Sequence, residues 1–103
     1  MSPEPNPQSL RELEILEHNL HHFSMQKQTI QLEMNEVINA LNELENTSDE
    51  VYRVISNIMV RADKPSLRKE LEERKRILSL RLDTLDKQEK LMESKVQEIR
   101  RQT

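Results

Sequence analysis

Residues 51–65 read VYRVISNIMVRADKP and interrupt a chain whose remainder carries a helical repeat. Val51, Val54, Ile55 and Ile58 are β-branched, a composition that suits a strand better than a helix. VYRVI and IMVRA flank the pair Ser56-Asn57, the spacing of a two-residue hairpin turn. The pattern predicts a β-hairpin over 51–62, with Val51, Arg53, Ile55, Ile58, Val60 and Ala62 on one face. Tyr52, Val54, Met59 and Arg61 fall on the other. A helix kinked at 46–50 and again near Pro65 is the alternative. Two strands alone are marginal in water, and this pair leaves two edges and two apolar faces open. The chain offers no third strand, so the expected partners are strands of other subunits. Val51, Tyr52, Val54, Ile55, Ile58, Met59 and Val60 are the candidate oligomerisation residues.

On either side lie two helical arms. In the first, Leu13, Leu16, Leu20, Phe23, Lys27, Ile30, Met34, Val37, Leu41 and Leu44 alternate by three and four, and only Lys27 is polar. Ser9 and Glu12 have the spacing of a capping box, so this helix is expected over 9–46 after a flexible 1–8. ENTSDE then supplies cap and turn residues. The second arm is expected over 64–101, opening at Asp63 and Pro65. Its seam is Leu71, Lys75, Leu78, Leu82, Leu85, Glu89, Met92, Val96 and Ile99. Folding one arm back on the other pairs Leu41 with Leu71, Met34 with Leu78, Leu20 with Met92 and Leu13 with Ile99. The fold class is therefore mainly α: an antiparallel coiled-coil hairpin joined by one β-hairpin, forming a single domain over 1–103. In this register Lys27 lies one layer from Glu89, so the two either form an ion pair or Lys27 extends its ammonium to water.

Composition narrows the function. The chain is 34% charged with no Gly, no Cys and no Trp, which excludes glycine phosphate loops, disulfides and thiolate metal centres. Ten acidic and two basic residues occupy 1–50, against nine acidic and fourteen basic in 51–103, so the arms attract each other. MSPEPNPQ lacks the features of a secretion signal and no stretch reaches the ~20 apolar residues of a membrane span, making a cytoplasmic protein the expectation. His18 and His22 stand four apart beside Glu14 and Glu17, a spacing that can hold zinc, but surface histidines are the ordinary outcome on such a helix. No metal site, cofactor or catalytic residue is expected.

VYRVISNIMVRAD (51–63) and ELEERKRILSLRLDTLDKQE (70–89), set between helical arms, resemble the β-type subunits of prefoldin, a hexameric chaperone of archaea and eukaryotes. The resemblance spans roughly residues 10–101. It implies an assembly of two α-type and four β-type subunits, whose hairpins join in an inter-subunit β-barrel and whose arms capture unfolded proteins without ATP. Room for only one hairpin indicates the β-type. Where the family usually has Gly before Asn, this chain has Ser56, which leaves the turn type open.

Apolar residues off the seam fall into two groups. Leu32, Ile38, Ile77 and Leu80 lie near the hairpin. Leu10, Ile15, Met25 and Leu91 lie toward the chain ends, and with Leu13, Leu16, Val96 and Ile99 form the candidate client-binding set. The resemblance further implies delivery of clients to a group II chaperonin, for which Lys95, Arg100 and Arg101 are the candidate docking residues. A generic coiled-coil scaffold without client binding is the alternative. A nucleic-acid binder is a third reading, weakened by Glu70, Glu72, Glu73 and Glu98 among the basic residues and by the lack of an aromatic platform. Neither nucleic acid nor membrane is an expected partner.

Overall fold

The computed structural model describes residues 6–102. Helix α1 (Pro7–Asn46) is followed by strands β1 (Val51–Ile55) and β2 (Ile58–Ala62) and by helix α2 (Lys64–Gln102). The chain divides into two compact units, one formed by the chain up to Ile30 with Arg81 onward, the other by Gln31–Leu80.

Helix α1 begins two residues earlier than the Ser9–Glu12 spacing predicts. Asn6 caps it: its Oδ1 accepts from the Gln8 amide at 3.0 Å, and its carbonyl accepts from the Leu10 amide at 3.0 Å. Pro7, with its fixed φ and no N–H to satisfy, fits the first helical position, so the capping box is not used. Of the expected flexible 1–8, Pro7 and Gln8 are helical, and residues 1–5 lie outside the described residues. Asp63 caps α2, accepting from the Ser66 amide at 3.2 Å and its hydroxyl at 2.6 Å. Those bonds hold the Asp63 carboxyl below the usual range.

In the unit Gln31–Leu80 the two arms run antiparallel. Glu33 pairs with Arg74 at 3.0 Å and Glu45 with Arg68 at 2.7 Å, so one arm ascends as the other descends. Met34, Val37, Leu44 and Leu78 are buried between them. Lys64 donates to the Thr47 carbonyl at 2.7 Å, tying the first turn of α2 to the end of α1. The strands pair antiparallel from Val51–Ala62 to Ile55–Ile58, leaving Ser56 and Asn57 as the loop. Their φ values, 47° and 68°, are both left-handed, the pattern of a type I′ turn. Asn accepts that region readily; Ser56 does so at a cost of about 1 kcal/mol.

The other unit repeats the antiparallel arrangement through Glu17 with Arg100 at 2.5 Å and Lys27 with Glu89 at 3.3 Å. Its seam is less enclosed: Leu13, Leu16, Leu20, Phe23, Leu82, Met92 and Ile99 are half-buried, and Val96 is buried. Across both units, Lys75 is the one exposed seam residue of the predicted set.

Candidate functional site

The hairpin surface comes first. Strand pairing places Val51, Arg53 and Ile55 opposite Ala62, Val60 and Ile58, as the alternation predicts, with Tyr52 and Val54 opposite Arg61 and Met59. Arg53 forms a two-pronged bond to Glu70 of α2, at 2.9 and 3.1 Å. The opposite face is polar at its base, where the Tyr52 hydroxyl donates to Glu50 at 2.9 Å and Arg61 pairs with the same carboxylate. Toward the turn it is apolar and open, with Val54 68% and Met59 70% exposed. Ile55, Ile58 and Val60 are exposed as well, and Val51 is half-buried. Among the described residues the sheet has two strands, so each outer edge retains unpaired backbone groups. An apolar strand surface with two open edges can accept further strands.

A second surface lies in the unit that carries the chain ends. Leu10, Ile15, Met25 and Leu91 stand exposed, Ile15 at 61% and Leu91 at 66%. Leu13, Leu16 and Ile99 are half-buried seam residues. Val96, from the same predicted set, is only 6% exposed because it is a seam residue packed between the arms, so it supports the surface without presenting itself. The three docking candidates differ in their surroundings. Arg100 is engaged with Glu17, Lys95 lines a cavity with Glu12 and Ile15, and Arg101 is exposed.

Between these residues and Ile30 lies an ionic cluster. Lys27 Nζ meets Asp86 Oδ1 at 3.0 Å and Glu89 Oε1 at 3.3 Å, and Lys90 meets Asp86 at 3.3 Å. The ion pair with Glu89 is the one the register allows; Asp86 comes in addition. Its signal was its position beside seam residue Leu85, at the flank of the stripe, where a lysine from the opposite seam can reach. Asp86 first and Glu89 second raise the Lys27 ammonium above its ordinary value, while Lys27 and then Lys90 hold the Asp86 carboxyl below its own. The Asp86 contribution to stability is complete above the ordinary carboxylate range and is lost as pH falls through the depressed value. The Lys27 contribution is present below the ordinary lysine range and is lost as pH rises through the raised one. Lys27→Gln should therefore melt a few degrees below the parent at neutral pH, with the gap closing once Asp86 is protonated. Thermal melts followed by circular dichroism check this, and a gap of equal size in strong acid would contradict it.

Among the described residues no three His, Cys, Asp or Glu side chains converge on a metal position, and His22 faces Gln26 at 3.4 Å. Among the described residues no helix is long and apolar enough to cross a membrane.

Helical arms joined by an open-edged hairpin define a coiled-coil hairpin fold whose strand edges are left open. A family profile described as Prefoldin subunit matches residues 8–103. Proteins called prefoldin subunit beta are similar to the chain. That of Saccharolobus islandicus is 33% identical over 101 residues, covering 96% of this chain and 79% of the relative. That of Thermoplasma volcanium is 36% identical over 104 residues, covering 93% and 84%. The crystal structure of the prefoldin beta subunit from Thermococcus strain KS-1 superposes with a TM-score of 0.85 at 31% identity, over 98% of this chain and 93% of that one. The beta2 subunit of the same strain agrees in fold, with a TM-score of 0.75 over 88% of this chain and 98% of that one, at 20% identity. The chain belongs to the prefoldin subunit family, as a β-type member, and is a chaperone-type subunit.

Proposed function

We propose that this chain is one of four β-type subunits that join two α-type subunits through their hairpins, and that the assembly holds unfolded proteins without ATP in the cytoplasm. The observation that carries the reading is the exposed apolar set Leu10, Ile15, Met25 and Leu91, on helices whose seam in that unit is mostly half-buried. Leucine, isoleucine and methionine on such helices adapt to many apolar sequences, the property a non-selective binder requires. A scaffold needs neither this surface nor an open hairpin. Clients then pass to a group II chaperonin, docked by Lys95, Arg100 and Arg101, each contact weak and several acting together.

The test dilutes a chemically denatured protein into nucleotide-free buffer, with and without this chain assembled on an α-type partner, and follows light scattering. Suppressed scattering followed by salt-sensitive transfer to a chaperonin is the expected result, with transfer slowed by Arg101→Glu. Scattering equal with and without the assembly would overturn the holdase reading. Equal transfer by parent and Arg101→Glu at low salt would remove the docking role of Arg101.

A further inference from the structure

Two depressions in the unit that carries the chain ends share one construction. The first, about 480 Å³, is lined by the apolar Ile15, Leu16 and Ile99 together with Glu12 of α1 and Glu98 of α2. The second, about 450 Å³, is lined by Leu20 and Val96 together with Glu17 of α1 and Glu93 of α2. In the second the chain supplies the cation itself, the Arg100 guanidinium on Glu17 at 2.5 Å. In the first, the side chains of Glu12 and Glu98 have no ion-pair or hydrogen-bond partner among the described residues, although Lys95 and Gln102 line the same cavity. Glu12 is available because Asn6, and not a Ser9–Glu12 capping box, caps α1.

We infer that the first depression takes an aliphatic side chain flanked by a lysine or arginine, so that this chain selects unfolded segments that alternate apolar and basic residues. The aliphatic group rests on Ile15, Leu16 and Ile99, and the neighbouring cation meets Glu12 and Glu98 as Arg100 meets Glu17. Gln102 remains as a donor for a carbonyl of an extended segment, whose backbone has no partners of its own. This rests on the holdase reading and names its preferred substrate.

The test is fluorescence anisotropy of the full chain, assembled with an α-type partner, with short fluorescein-labelled peptides alternating Leu with Lys, Leu with Gln or Leu with Glu. Two surface ion pairs gained by one peptide and two repulsions met by the other give an expected preference for Leu/Lys over Leu/Glu of about tenfold at low salt, fading at high salt. Glu12→Gln with Glu98→Gln should bring the two within about twofold, with Leu/Gln binding unchanged. Glu36→Gln with Glu43→Gln removes the same charge from exposed positions in the other unit and should keep the preference. Equal binding of Leu/Lys and Leu/Glu by the parent, with Leu/Gln still bound, overturns this inference and leaves the holdase reading standing. A preference that survives in the Glu12, Glu98 variant also overturns it, and failure of all three peptides to bind overturns both.

Discussion

Val54→Asp combined with Ile58→Asp should abolish assembly while leaving the arms helical. Within one chain the two side chains are largely exposed, so their replacement removes little packing. They also lie on opposite faces of the hairpin, so whichever face meets a neighbouring subunit receives a carboxylate. An unpaired carboxylate buried among apolar strands costs several kcal/mol, and two weaken association by roughly a thousandfold or more. Val60 is the poorer choice, because it stands opposite Arg53, which would neutralise an aspartate there. Sedimentation velocity with an α-type partner should show only small species, with far-ultraviolet circular dichroism close to that of the parent. An unchanged sedimentation coefficient would count decisively against assembly through the hairpin.

The second large effect belongs to the other unit. Changing Leu10, Ile15, Met25 and Leu91 together to serine should leave assembly intact and remove most of the capacity to keep a denatured protein from aggregating. All four are exposed, so the seam beneath them is unaffected. Each contributes about 1 kcal/mol when a client covers its remaining surface, and losing four weakens capture by roughly a hundredfold or more. Deleting residues 1–16 and 96–103 would be a blunter test, since it also removes buried Val96 and the Glu17–Arg100 pair. Suppression equal to that of the parent would move the binding surface away from these residues.

The seam was the most legible feature of the sequence, because an unbroken three-four alternation of leucines has one physical solution, and the register it set placed Lys27 beside Glu89. The hairpin was legible as well, from VYRVI and IMVRA. What escaped the sequence was set by competing local options. Ser9 with Glu12 and Asn6 with Pro7 are both sound helix starts, and the choice depends on which cap forms. Ser56-Asn57 did not declare its turn, since neither residue demands a positive φ as glycine would invite it. Asp86 lies at the edge of the stripe, and periodicity distinguishes only the stripe itself. Nearness to the chain end points Val96 toward a binding surface, whereas its seam position buries it. The pairing of Arg53 with Glu70 needs a hairpin laid against a helix, which no spacing rule supplies.

The central claim, that clients are held by the apolar surface of the unit carrying the chain ends, is most directly tested by site-specific photocrosslinking. A photoreactive residue replaces Ile15 in one preparation and Leu32 in another, two exposed apolar positions in different units. Each assembled protein is irradiated in the presence of a freshly denatured client. Crosslinks to the client should form at position 15 and be scarce at position 32. Crosslinks concentrated at position 32, with position 15 silent, would contradict the account.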